Sequence, residues 1–148
     1  MKVSEIMTKE VITVNEDTLI TDVAKLLTSN RIHAVPVLNA ERQLVGIITE
    51  SDFFSKNSPA LVYLPTVVDF VRSGKLHELS DRAETVEAVH NALAESVMSS
   101  PCVTISEDAD VQDFLNLFRE RGFNTAPVVN ANGQMVGIVA VADALKLI

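Results

Sequence analysis

The sequence predicts an α/β (α+β) fold built from two copies of one β-α-β-β-α unit, each copy with a three-stranded sheet. Three observations carry that expectation. A shift of 91 residues lays Val3–Phe54 on Ala94–Leu145 without a gap. Within each copy, short apolar runs bracket a segment whose apolar residues recur at helical spacing. Each copy is also too small to cover its own apolar face, so the two should pair.

The register of the repeat is strict. Met7 meets Met98, Thr13 meets Thr104, Glu16–Asp17 meets Glu107–Asp108, and Asp22 meets Asp113. Pro36–Val37 falls on Pro127–Val128, Asn39–Ala40 on Asn130–Ala131, Val45–Gly46–Ile47 on Val136–Gly137–Ile138, and Asp52 on Asp143.

The elements follow in order. Val11–Val14 is short and rich in β-branched residues, so it reads as the first strand, ended by the polar Asn15–Thr18. Leu19, Val23, Leu26 and Leu27 then share a helix face, with Asp22 in the first turn. Ala34–Leu38 and Leu44–Ile48 form a hairpin around Asn39–Gln43. Ser51–Asp52 opens a second helix with a capping oxygen at hand. The second copy repeats this with strand Cys102–Ile105, a helix through Val111, Phe114, Leu115 and Phe118, and strands Thr125–Val129 and Met135–Val139. Asn132–Gly133 supplies its turn, where a positive φ is cheap.

The repeat divides the chain into 1–54, a spacer 55–93 and 94–148. In the spacer, Pro65 breaks an apolar run, Thr66–Arg72 resumes as a short helix ended by Ser73–Gly74, and Ser80 caps another. Ala83, Val86, Val89 and Leu93 line one face of that last helix. The segment serves either as a helical spacer packed on the double unit or as a docking arm for a partner.

Composition narrows the function classes. The chain has 148 residues, 47% hydrophobic and 22% charged, with mean hydropathy +0.24, as expected of a compact soluble domain. At this size roughly 68–70% of the unfolded surface can be buried, so no metal or disulfide is required. Cys102 is the single cysteine, which suits a reducing compartment. Twenty acidic residues against twelve basic ones give a net charge of −8, which argues against a nucleic-acid backbone or an anionic membrane as the main partner. The start of the chain carries Glu5 and lacks the apolar core of a secretion signal, and no apolar run reaches the ~18–20 residues of a membrane span, so the expected location is cytoplasmic.

The residues of the repeat resemble a known family. Val3-x-x-Ile-Met-Thr, Val-Ile-Thr-Val, Arg31-Ile-His-Ala-Val-Pro-Val and Val45-Gly-Ile-Ile-Thr-Glu-Ser-Asp52 look like a cystathionine-β-synthase (CBS) domain. The second copy matches through Val97-Met-Ser, Cys102-Val-Thr-Ile, Thr125-Ala-Pro-Val-Val and Val136-Gly-Ile-Val-Ala-Val-Ala-Asp143. The resemblance covers nearly everything outside the spacer. It implies a CBS pair, or Bateman module, with two clefts between the copies that in many members hold AMP, ADP, ATP or S-adenosylmethionine. It also implies lobes packed about a pseudo-twofold axis, a homodimer of pairs and a sensor that moves a neighbouring domain. For this sequence the expected output is to a separate effector protein or through the spacer, with no cofactor required, and a dimeric scaffold that binds no ligand is the alternative.

Thr49 and Asp52 are the foremost site candidates. A strand ending at Ile48 should deliver the backbone to a helix start, where free N–H groups favour phosphate. A carboxylate there can accept both hydroxyls of a ribose, and by resemblance the matching Thr and Asp do this work. The plainer alternative is that Thr49 or Ser51 caps the helix and Asp52 complements its dipole. In the second copy Ala140 and Ala142 replace Thr49 and Ser51 while Asp143 remains, so the two clefts should be unequal, the Asp52 cleft being the tighter by ~0.5–1.5 kcal/mol.

By the same resemblance each cleft is completed from the other copy: Cys102, Val103 and Asn124 for Asp52, and Val11, Ile12 and His33 for Asp143. The apolar members suit an adenine slot or plain core equally. His33, aided by Arg31, faces a phosphate or caps the sheet edge, and in the first case protonation strengthens binding. The scarcity of Lys and Arg nearby favours a mono- or diphosphate, or an uncharged or zwitterionic adenosyl ligand, over a triphosphate.

Other constellations do not rise to a site. Glu87-x-x-His90 has the spacing of half a di-metal centre but no second copy of the motif, and His77 beside Glu78 gains no ligand partners. No nucleophile elbow or Gly-rich phosphate loop occurs, so no enzymatic activity is expected.

Overall fold

A computed structural model of the chain describes residues 1–53, 91–100 and 102–148. The spacer helices expected around Thr66–Arg72 and after Ser80, with Glu87, His90 and His77, lie outside the described residues. Two compact units emerge: Thr13–Ser100, and Met1–Ile12 together with Pro101–Ile148. They are called the first-repeat and second-repeat units below.

In the first-repeat unit, β1 (Val14–Asn15) pairs in parallel with β2 (Ala34–Leu38), which pairs antiparallel with β3 (Leu44–Thr49). Helix α1 (Ile20–Ser29) buries Ile20, Val23 and Leu27, three positions on one face. A four-residue 3-10 turn, Glu50–Phe53, follows β3, and a short helix, α2 (Ala94–Val97), completes the unit. In the second-repeat unit β4 (Ile105–Ser106), α3 (Val111–Arg121), β5 (Thr125–Val129), β6 (Met135–Ala140) and α4 (Val141–Leu145) repeat the order, with β4–β5 parallel and β5–β6 antiparallel. The fold class and the hairpins stand as expected, and Thr125–Val129 agrees to the residue.

Three local expectations need correction. The first strands are shorter and later than the β-rich runs suggested, so Val11, Ile12, Cys102 and Val103 precede β1 and β4 rather than lying in them. Only the last residues of each run reach the neighbouring strand, because the sheet ladder and not β-propensity sets strand length. The helix expected from Ser51–Asp52 opens as a 3-10 turn over Glu50–Phe53, and the rest of it lies outside the described residues. Leu93 stands in extended conformation before α2 and bridges Leu19, instead of continuing a helix face.

The hairpin turns show how two different residues meet one backbone demand. Gly133 has φ +78, and the equivalent position is filled by Arg42 at φ +63. An asparagine braces each turn: Asn39 Oδ1 accepts from the N–H of Glu41 and Gln43 at 3.0 and 2.9 Å, and Asn130 Oδ1 from Asn132 and Gln134 at 3.0 Å each. That side chain fixes the loop so firmly that a non-glycine residue tolerates the left-handed region.

The largest departure from the linear repeat concerns the leading segment of each copy. Residues 1–9 pack in the second-repeat unit, and the matching residues 92–100 pack in the first-repeat unit. Val3 N–H donates to Ala109 C=O at 2.8 Å, and its counterpart Ala94 N–H donates to Thr18 C=O at 2.8 Å. Thr8 and Ile138 exchange backbone bonds of 2.8 and 2.9 Å, as Ser99 and Ile47 do at 2.9 and 3.2 Å. Val3 is fully buried in the cluster of Ile105, Phe114, Ala126, Val128 and Val139. Surface ion pairs from the Met1 ammonium to Asp110 (3.3 Å) and from Lys2 to Asp108 (3.1 Å) add little.

Close approach of these segments explains two glycines. A Cβ on Gly46 would sit 2.5 Å from Met98 Sδ and 3.0 Å from Ser99 O. On Gly137 it would sit 2.5 Å from Met7 Sδ and 2.8 Å from Thr8 O. Each Val-Gly-Ile strand therefore carries glycine where the methionine of a leading segment crosses it.

Candidate functional site

The end of β3 gathers the polar groups singled out above. Pairing of Ala34 with Thr49 brings the start of β2 beside the end of β3, so His33 stands next to Glu50. Glu50 N–H donates to His33 C=O at 3.1 Å, and His33 Nδ1 lies 3.1 Å from Glu50 Oε1. Both side chains are largely exposed, at 74% and 62%. His33 is thus an exposed residue at the sheet edge whose near partner is a carboxylate.

Asp52 folds back on the strand end. Its Oδ2 accepts the Thr49 N–H at 2.8 Å and lies 3.3 Å from Thr49 Oγ1. Thr49 Oγ1 also meets Ser51 Oγ at 2.8 Å. Among the described residues no group donates to Asp52 Oδ1. The plainer role, a carboxylate holding the turn at the strand end, is therefore present, and it leaves a second carboxylate oxygen and a hydroxyl on the same half-buried edge.

The equivalent edge of the second-repeat unit has the same backbone. Asp143 Oδ2 accepts the Ala140 N–H at 2.8 Å, and Val141 N–H donates to Asn124 C=O at 2.9 Å. Chemically it differs. Asp143 is buried, its Oδ1 lies 3.3 Å from Lys146 Nζ, and Ala140 and Ala142 offer no hydroxyl.

These placements correct the phosphate argument. At each strand end the first two N–H groups are already taken, one by the carboxylate three residues on and one by a carbonyl of the preceding strand's start. Of the remaining candidates, Thr49, Asp52 and His33 belong to the first-repeat unit, whereas Val11, Ile12, Cys102, Val103, Asn124 and Asp143 belong to the second-repeat unit. Val11, Ile12, Cys102 and Val103 are half-buried and Asn124 is exposed. Burial pushes the Cys102 thiol up to about 11, so at neutral pH it is an inert hydrophobe and not a nucleophile. The Lys146–Asp143 contact was not anticipated; its i, i+3 spacing past the strand end was the available signal. No helix among the described residues is long and apolar enough to cross a membrane.

Comparison with known proteins defines the class. The CBS domain family model matches residues 3–58 and 94–148, and the chain belongs to the CBS domain family as a tandem pair. It is similar to a CBS domain-containing protein of Dictyostelium discoideum, 30% identical over 148 residues, which cover 99% of this chain and 90% of the relative. Among solved structures it resembles the CBS domain of a CBS domain-containing membrane protein from Sphaerobacter thermophilus, 33% identical, covering 100% of this chain and 88% of that one, at TM-score 0.74. The fold is shared with CBSX2 in complex with AMP (21% identical, 99% and 94% covered, TM-score 0.69). It is shared too with the CBS domain pair of protein MJ0100 in complex with 5′-methylthioadenosine and S-adenosylmethionine (22% identical, 99% and 94% covered, TM-score 0.69).

Proposed function

We propose that this chain is a regulatory sensor that binds an adenosyl compound at the Thr49–Asp52 edge and relays its occupancy to a separate effector protein, acting as a homodimer and catalysing no reaction. One observation carries the reading: a carboxylate whose Oδ2 is held by the strand end while Oδ1 stays without a donor among the described residues, next to a threonine hydroxyl. Such a pair of acceptors matches the adjacent hydroxyls of a ribose. Support comes from family membership and from the adenosyl ligands in the two structures of the same fold. Asp143, with Val11, Ile12 and His33, belongs to a second and weaker site, while Cys102, Val103 and Asn124 complete the first, as the family resemblance implies. Occupancy need alter the balance between two conformations by only ~1–3 kcal/mol to act as a switch.

Calorimetric titration of wild type and Asp52→Ala with AMP, ADP, ATP and S-adenosylmethionine tests this. Micromolar binding to wild type that weakens at least about tenfold in the variant is expected, a hydrogen bond to a charged group being at stake. Binding that survives the substitution removes Asp52 from the site.

A scaffold that holds partners without a ligand is the second reading. The hydroxyl-free, lysine-paired edge at Asp143 favours it for the second repeat. A stable dimer whose melting temperature no adenosyl compound raises would establish it.

A further inference from the structure

The charges and hydrogen bonds at the end of β3 bear on which adenosyl compounds the edge accepts. Resting on the sensor reading above, we infer that the Thr49–Asp52 edge selects adenosyl compounds without phosphate, those whose 5′ substituent is uncharged or cationic.

Two of the N–H groups that could hold a phosphate at this strand end are already engaged within the protein. Thr49 N–H is used by the protein's own carboxylate at 2.8 Å and Glu50 N–H by the His33 carbonyl at 3.1 Å. In effect Asp52 already occupies the anion position of this strand end.

Fixed charge adds to this. Glu50 and Asp52 place two carboxylates within one turn. The titratable group facing them from the neighbouring strand start is His33, 3.1 Å from Glu50 Oε1. Arg31, two residues earlier, makes no ion pair with either carboxylate among the described residues. Among the described residues, two carboxylates therefore face one imidazole, and whatever its protonation the balance of charge at the turn is negative. The 5′ carbon of a ribose is only a few bonds from the hydroxyls that Asp52 would hold. Any substituent there falls inside the Debye length of about 8 Å at physiological salt, where a phosphate is repelled and a sulfonium attracted. The chain's net charge of −8 acts in the same direction on approach.

The test is a set of calorimetric titrations of the full chain with S-adenosylmethionine, adenosine, AMP and ATP at low and high salt, repeated on Glu50→Lys. Glu50 is exposed and its ion pair is a surface one, so the variant should fold. Expected is an affinity order of S-adenosylmethionine, adenosine, AMP and ATP, spanning on the order of tenfold or more, narrowing as salt rises and shrinking in Glu50→Lys. AMP or ATP binding more tightly than adenosine overturns this inference and leaves the sensor reading standing. An unchanged order in Glu50→Lys overturns the electrostatic cause. Absence of binding by all four compounds overturns the sensor reading and this inference with it.

Discussion

The two strand ends, Thr49–Asp52 and Ala140–Asp143, differ in chemistry on one backbone. Both hold an aspartate that accepts the N–H three residues back at 2.8 Å, and both tie the next N–H to the opposite strand's approach. Beyond that they part. The first edge keeps a threonine hydroxyl, shared with Ser51 and Asp52, and a carboxylate oxygen to which no described residue donates; the second is lined by alanines and gives its carboxylate oxygen to Lys146. The lesson is that the aspartate has a structural duty in both repeats, so its presence alone does not mark a ligand site. The groups around it decide whether any acceptor capacity remains.

The cores beneath the edges also differ, and the largest expected effect lies there. Phe114 is fully buried in the second-repeat unit, where the equivalent residue of the first is Val23. Phe114→Ala should cost about 3–5 kcal/mol by chemical denaturation, and Val23→Ala clearly less, since fewer carbons leave a smaller cavity. Equal losses would show that the two cores are not packed independently of residue size.

Next in size are the glycine substitutions. Gly46→Ala and Gly137→Ala should each destabilise by about 1–3 kcal/mol through overpacking against the leading segments. Gly137→Ala should be the worse, because its nearest backbone oxygen is at 2.8 Å and not 3.0 Å. Melting temperatures of the two variants side by side make the check; a neutral substitution at both sites would mean the methionine tips simply move away.

A transplant sharpens the comparison of the edges themselves. Ala140→Thr with Ala142→Ser and Lys146→Ser rebuilds the first edge on the second, and should raise adenosyl binding at that edge by ~0.5–1.5 kcal/mol. Carried out in the Asp52→Ala background, the titration reads the second edge alone. No gain would mean that burial of Asp143 and not its neighbours limits it.

The smallest effect concerns Cys102. With its thiol pushed up to about 11 by burial, alkylation at pH 8 should be much slower in the folded protein than in urea. Because the folded-state value is raised, the thiol's contribution to stability is complete below the unfolded value and fades as pH rises toward 11. Equal alkylation rates in both states would place the sulfur in solvent.

Much of this was legible in the residues. The hairpins announced themselves through apolar runs around Asn39–Gln43 and Asn130–Gln134, since a buried strand bounded by a polar turn has few other forms. Helices α1 and α3 followed from four apolar residues at helical spacing in each. The strand lengths at Val14 and Ile105 were not, because pairing with β2 and β5 sets them. That Thr49, Ser51 and Asp52 gather at a strand end could be read from the sequence; that two N–H groups there are already taken could not, since this depends on a carboxylate's rotamer and a carbonyl from another strand.

What the chain determined by itself was the duplication, the order of elements, and the chemical inequality of Thr49 and Ala140, all carried by residue identity and spacing. What only tertiary structure decided was that Val3 completes the core around Phe114 and that residues 92–100 complete the unit around Val23. Periodicity reports that an apolar face will be covered. It holds no information on a partner about a hundred residues away, because that choice is made by the shape and hydrogen-bonding of surfaces that exist only once the chain has folded.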